Sequence, residues 1–416
     1  MSEMGKMLNA MKVALVAASI AAAMAEAATA KSAIDRTEAY ENSPAAYSLP
    51  DDVPPAMRTL LEPEPISGTL RTSFVISAGG SGLQIRLSNE EGNKPLVIGS
   101  VSVSLAKAGT NDIAQRPVRV TFSDHPGFVI PVGAPLLSDL VPLATKPGDR
   151  LVVSVFTPAG ASAVALGGAG LTLAPGEQTQ NAVLSDARTI MGRSLVTGIV
   201  VDGRHPLPVI VTLGDSITDG ARAKPDIPAG YPETLMRRLA ALPDGKRRAV
   251  VNAGIAGNRL LSSGWGKSAL ARLDRDVIRI PNVSHLIVLE GINDIGLGGL
   301  PLTRLEASAS KDELIAGYRQ VIERAHAHGI KVIGGTLMPF KGAFYYSPAK
   351  EEVRLAVNSW IRDSGAFDAV IDFEAIVRDP ADPMRINPVF DSGDHLHPND
   401  AGYRAMGEAI DLNWFR

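Results

Sequence analysis

The sequence contains no cysteine. That absence excludes disulfides, thiolate metal sites, iron–sulfur clusters and a cysteine nucleophile. Charge of neither sign is in excess: 41 Lys and Arg face 44 Asp and Glu, a net charge of −3. So even a balance leaves no electrostatic footprint for nucleic acid or for an anionic membrane surface. Beyond the N-terminus no stretch resembles the ~20 apolar residues of a membrane span. With 45% hydrophobic and 20% charged residues over 416 positions, wholesale disorder is excluded and a large core in two or three domains is expected. Nothing calls for a cofactor. The chemistry left standing is non-redox, with hydrolysis foremost.

At the N-terminus, Lys6 and Lys12 precede the apolar run Val13–Ala25, and small residues follow at Ala25-Glu26-Ala27 and Ala28-Thr29-Ala30. Basic flank, short apolar run and A-x-A ending are the parts of a secretory signal peptide, expected over residues 1–30. The mature chain is therefore expected in the periplasm or outside the cell and not inserted in a membrane; lack of cysteine is tolerated there. Residues 31–66 hold Pro44, Pro50, Pro54, Pro55, Pro63 and Pro65 without helical or strand periodicity, and are read as a linker or wrapping arm.

Residues 67–200 carry short alternating runs: Leu83-Gln84-Ile85-Arg86-Leu87, Val101-Ser102-Val103-Ser104-Leu105 and Val118-Arg119-Val120-Thr121-Phe122. Period-two alternation buries one face and wets the other, as in antiparallel strands. Many short strands punctuated by Gly and Pro predict an all-β sandwich of jelly-roll type. No constellation of catalytic side chains lies in it, so it is expected to be an accessory domain. Residues 206–416 change rhythm. Nearly continuous apolar runs at Val209–Leu213, Ala249–Val251, His285–Leu289, Lys331–Gly334 and Ala369–Ile371 suit strands covered on both faces. Between them, Pro232–Leu242, a segment opened by the Ser310/Glu313 capping box and stopped by Gly329, and one opened by Ser347-Pro348 and stopped by Gly365 are helical; Asn399 caps a last helix over Asp400–Ile410. Strands alternating with helices imply a parallel sheet between two helix layers.

Three strand ends and one late loop carry the chemistry. Gly214-Asp215-Ser216 follows the first strand, where open α/β sheets expose residues to ligands; taken alone, Asp-Ser there is also a cap or a turn. Asn252 to Arg259, with Gly257, follows the second strand, and Glu290-Gly291-Ile292-Asn293-Asp294 the third. Gly257 offers an unobstructed N–H and Asn293 an amide donor. Near the C-terminus stands Asp394-His395-Leu396-His397-Pro398. An Asp three residues before a His can fold back onto Nδ1 and leave Nε2 as a base. Asp394, His395 and His397 as metal ligands are the competing reading, unsupported by another His/carboxylate cluster. In a sheet of order 2-1-3-4-5 the first and third strands flank the switch point. The fifth lies about 14 Å from the first, a span that Phe373 to Pro398 easily covers.

Gly214-Asp215-Ser216, Gly257, Gly291-x-Asn293-Asp294 and Asp394-x-x-His397, in that order, resemble the four motif blocks of the SGNH/GDSL hydrolase family over about Pro208 to Phe415. The wording around them looks like the branch of arylesterases and acylhydrolases related to a rumen xylanase-associated esterase. The resemblance implies a flavodoxin-like three-layer α/β/α fold. It also implies Ser216 as nucleophile, His397 as base, Asp394 as its orienting carboxylate, and an oxyanion hole from the Ser216 N–H, the Gly257 N–H and the Asn293 side chain. The activity implied is hydrolysis of carboxylic esters, with small esters or acetylated carbohydrate such as xylan as substrates. A lysophospholipase or thioesterase, or a carbohydrate-binding protein with an idle hydrolase domain, is the alternative. Glu290, Asn258 and Arg259 are candidate substrate contacts.

Overall fold

In the computed structural model, residues 36–46, 66–107, 112–161, 170–203, 205–224, 230–300, 303 and 307–416 are described. The expected signal peptide and most of the expected arm lie outside them. The first half of the chain supplies twelve strands: β1 (Arg36–Glu41), β2 (Ile66–Val75), β3 (Gly82–Ser88), β4 (Leu96–Ile98), β5 (Ser100–Leu105), β6 (Val118–Val120), β7 (Phe128–Ile130), β8 (Pro135–Leu137), β9 (Arg150–Ala161), β10 (Gly170–Ala174), β11 (Arg188–Met191) and β12 (Val196–Asp202). They form antiparallel sheets of order β1-β12-β3-β8 and β11-β10-β2-β9-β5-β6, with a β4-β7 ribbon.

The alternation predicted strands correctly but one wet face wrongly. On β5, Val101 and Val103 are buried, and so are Ser102 and Ser104. Ser102 Oγ donates to the Thr179 carbonyl (2.5 Å) and Ser104 Oγ to that of Gln115 (3.0 Å), so loops cover the polar face and satisfy it. A second correction concerns the arm: its residues 36–41 are strand β1. Apolar periodicity is missing there because two of the buried positions are carboxylates. Glu38 and Glu41 are fully buried and bind Arg86 of β3 at 2.7 and 2.8 Å, and Glu41 also meets Arg279 at 3.2 Å. Arginine hydrogen bonds supplied from distant sequence do there what apolar packing does elsewhere.

The second half gives β13 (Val209–Gly214), α1 (Ser216–Asp219), α2 (Tyr231–Ala240), β14 (Ala249–Gly254), α3 (Ala269–Leu273, prolonged by a wider turn over Asp274–Ile278), β15 (Val283–Leu289), α4 (Ile292–Gly296), α5 (Lys311–Ala327), β16 (Lys331–Gly335), α6 (Pro348–Asp363), β17 (Ala369–Ile371), α7 (Phe373–Val377) and α8 (Asp400–Glu408). All five strands are parallel, in the order β14-β13-β15-β16-β17 that the flavodoxin-like expectation requires. β13 is buried at every position, which its nearly continuous apolar run foretold. The helices pack as two sets, α2 with α8 and α7, and α3, α4, α5 and α6 together. The expected caps form: Ser310 and Glu313 close a capping box, Ser347 caps α6 ahead of Pro348, and Asn399 caps α8.

The two halves meet along a strand edge. β1 lies beside β14, joined by a parallel bridge between Asn42 and Asn252. Arg193, from the loop after β11, donates to the Ser43 and Gly254 carbonyls (3.0 Å each) and pairs with Asp219 (3.0 Å). Buried apolar side chains of both halves form one connected core. No helix among the described residues is long and apolar enough to cross a membrane.

Candidate active site

Strand register sets the stage. Gly214 pairs level with Gly254 on one side and Leu289 on the other, so the loops after β13, β14 and β15 emerge side by side at the carboxyl edge. Asp215 caps α1, its Oδ1 accepting the Ile217 N–H at 2.9 Å. Ser216 therefore opens the helical turn, where backbone N–H groups have no acceptor within the turn. Gly214 admits no side chain there, since a Cβ would stand 2.1 Å from Thr218 Oγ1 and 2.3 Å from the Leu289 carbonyl oxygen.

The loop after Phe390 folds back as expected. Ser392 N–H donates to the His397 carbonyl (3.1 Å), and Asp391 bridges to Pro398. Within it Asp394 Oδ2 lies 2.8 Å from His397 Nδ1, while Oδ1 accepts the N–H groups of His397 (2.9 Å) and Leu396 (3.1 Å). Partial burial alone would raise the Asp394 pKa. Hydrogen bonds from the His397 ring and from these two N–H groups outweigh it and hold the carboxyl well below the usual range. Arg222 Nε adds a contact at 3.1 Å. An ionised partner at Nδ1 makes that nitrogen the donor and leaves the Nε2 lone pair toward Ser216 Oγ, 2.8 Å away. Serine, imidazole and carboxylate thus form one continuous hydrogen-bond chain.

Donors gather on the neighbouring loops. Gly257 has φ +73°, and a Cβ on it would fall 1.6 Å from the Trp265 ring. Only glycine fits there, in a left-handed backbone beneath an indole. Asn293, in α4, donates one amide hydrogen to the Asn258 carbonyl at 2.9 Å, which ties the third loop to the second and leaves its other hydrogen available. Asp294 Oδ2 and Oδ1 accept the N–H groups of Leu260 (2.7 Å) and Leu261 (3.0 Å). Asp215 thus caps its turn, Asp219 holds Arg193, and Asp294 ties the third loop to the second.

Beneath this layer lies a residue that sequence reasoning missed. Arg272, on α3, is fully buried. Its guanidinium donates to the Gly214 carbonyl (3.0 Å), the Ala253 carbonyl (2.6 Å), Asn258 Oδ1 (3.0 Å) and Asp276 Oδ2 (2.9 Å). One cation thereby links the chain before the nucleophile to the loop bearing Gly257. The i,i+4 spacing of Arg272 and Asp276 was the available signal.

Glu290, Asn258 and Arg259, expected as substrate contacts, are instead turned into the protein and buried. Asn258 Nδ2 donates to the Trp265 (3.1 Å) and Lys267 (2.9 Å) carbonyls. Arg259 donates to those of Ser262 (3.1 Å) and Ser263. Glu290 has 3.8 Å to the Arg272 guanidinium and no hydrogen-bond partner for either carboxylate oxygen among the described residues. Burial, reinforced by the nearby Asp215, pushes its pKa well up. Burial likewise raises Asp215 to about 7 and Asp294 to about 6, against their stabilising N–H contacts.

The two histidines of the late loop do not converge on one point: His395 Nδ1 turns to Asp391 (2.6 Å) and His397 Nδ1 to Asp394. Among the described residues, no group of three His, Asp or Glu is arranged to hold a metal ion.

Residues 212–405 match the model of the GDSL-like lipase/acylhydrolase family, a family of carboxylic ester hydrolases. No curated protein matches the chain. Solved structures similar to it include a variant of an acetylxylan esterase from Geobacillus stearothermophilus, 24% identical, covering 49% of this chain and 91% of that one with a TM-score of 0.39. An α/β hydrolase from the metagenome of Lake Arreo, Spain, is 21% identical and covers 49% and 92%, with a TM-score of 0.39. A GDSL-like lipase from Bacteroides thetaiotaomicron is 20% identical and covers 49% and 85%, with a TM-score of 0.35.

Proposed function

We propose that this chain, whose residues 212–405 match the GDSL-like lipase/acylhydrolase model, is a serine esterase working through an acyl-serine intermediate. The observation that carries it is the chain of two 2.8 Å contacts from Ser216 Oγ through His397 to Asp394. His397 Nε2 takes the Ser216 proton as Oγ attacks the ester carbonyl. The Ser216 and Gly257 N–H groups and the Asn293 amide hold the developing oxyanion. His397 then gives its proton to the leaving alcohol, and water, deprotonated by the same imidazole, releases the acid. Asp394 keeps the imidazole in the required tautomer throughout.

For substrate we favour a short acyl group, acetyl above all, on a hydroxylated alcohol such as a carbohydrate. The support is the narrow access to the nucleophile: Ser216 is only 8% exposed. The β region serves as an accessory sandwich of jelly-roll type, and residues 1–30 direct export. Ser216→Ala is expected to abolish turnover of p-nitrophenyl acetate and labelling by a fluorophosphonate while the melting temperature is retained. A fully active alanine variant refutes the proposal. Profiling C2 to C16 esters beside acetylated xylan separates a short-acyl esterase from a lysophospholipase or thioesterase.

A further inference from the structure

The loop that carries the proposed base holds two Asp–His pairs, and the acyl-serine mechanism uses one. In the other, Asp391 Oδ2 lies 2.6 Å from His395 Nδ1. Asp391 Oδ1 accepts the N–H groups of Gly393 (2.8 Å) and His395 (3.1 Å), so the carboxylate fixes both the ring and its backbone. The arrangement has conformational costs. His395 sits at φ +61°, a left-handed backbone that residues with side chains seldom adopt. Its ring rests on Gly342, where a Cβ would stand 2.9 Å from His395 Cγ and Cδ2. Leu396 between the two histidines is buried, whereas the His395 side chain is 46% exposed. A turn alone would need only a glycine or asparagine at this position.

A carboxylate at Nδ1 makes that nitrogen the donor, so neutral His395 presents an acceptor lone pair at Nε2. The two histidines are two residues apart, so their Cα atoms are within about 7 Å. In the mechanism above, the leaving oxygen must face His397, which protonates it, so the alcohol part of the ester leaves on the side of the site from which this loop approaches. We propose that His395, oriented by Asp391, accepts a hydrogen bond from a hydroxyl next to the ester oxygen, making the site selective for esters of sugars and other polyols. This rests on the acyl-serine reading and names the alcohol side of its substrate.

The test compares two acetates of nearly equal size, 2-hydroxyethyl acetate and propyl acetate, as a ratio of kcat/KM. The folded wild type is expected to favour the hydroxylated ester. His395→Asn suits the left-handed backbone but falls short of the histidine's reach; it is expected to lower the ratio about tenfold, the scale of one hydrogen bond. Asp391→Asn, which keeps the imidazole but releases its tautomer, is expected to lower it in the same direction. A wild-type ratio at or below one, or a ratio that neither substitution moves, overturns the inference, whatever happens to total activity. Wild-type activity that depends on Ser216 with an unmoved ratio refutes only His395's role; activity independent of Ser216 refutes the reading beneath it.

Discussion

Replacing Asp394 by asparagine alters one atom and leaves the side-chain shape intact. In the native loop Oδ1 accepts the Leu396 and His397 N–H groups, and Oδ2 faces His397 Nδ1 and Arg222 Nε. The amide oxygen can retain the two backbone contacts, which leaves an NH₂ group opposite His397. A hydrogen bond then survives only if the imidazole presents its Nδ1 lone pair. That tautomer puts a proton on Nε2, aimed at Ser216 Oγ 2.8 Å away, where a base is needed. The base is lost through its orientation rather than its position. In serine-protease triads, loss of the correct tautomer lowers kcat by about 10⁴, or roughly 5 kcal/mol of transition-state stabilisation, and the same scale is expected here. Asp394 is partly exposed and Arg222 largely so, so the melting temperature is expected to move little. Steady-state and burst kinetics on p-nitrophenyl acetate, with thermal unfolding of the same samples, read both quantities. A folded Asp394→Asn protein keeping more than a tenth of kcat refutes the assignment.

Asn293→Ala removes one donor of the proposed oxyanion hole and is expected to cut kcat by about 10²–10³ with a smaller change in KM, read from Michaelis curves. Arg272→Met strips its donors from the Gly214 and Ala253 carbonyls, Asn258 Oδ1 and Asp276; a loss of about 3–5 kcal/mol is expected in urea unfolding, and an unchanged midpoint would contradict the role given to Arg272. Stability is expected to fall as pH rises from about 5 to 8. Asp294, Asp215 and Glu41 titrate at about 6, 7 and 8 in the folded state, above ordinary carboxyl values, so the native protein holds protons there that the unfolded chain has lost. Glu290→Gln removes another raised carboxyl and is expected to flatten that slope in melting curves recorded across the range.

Parallel strands, helix caps and the four motif loops were legible because each is written in neighbouring residues. Val209–Leu213 announces a strand buried on both faces, and Ser310 with Glu313 announces a helix start. Asp394 and His397 are separated by one turn of a loop and needed no tertiary partner to be paired on paper. Other features have no local signature. Strand β1 looked like linker because two of its buried residues are Glu38 and Glu41, and only Arg86 and Arg279, far along the chain, make those positions tenable.

The same reason explains Glu290, Asn258 and Arg259. Polar residues beside a catalytic motif suit substrate binding as well as scaffolding, and the choice depends on which groups the fold brings beneath them. Arg272 takes up the Asn258 side chain from one helix away, and the Ser262–Ser263 carbonyls take up Arg259. Periodicity therefore settled the type and order of the α/β elements, and motif spacing brought the candidate site loops to notice, because backbone geometry and short loops are governed by adjacent residues. The burial and neutralisation of charge were decided by packing, because Coulomb and hydrogen-bond partners meet through space and come from any part of the chain.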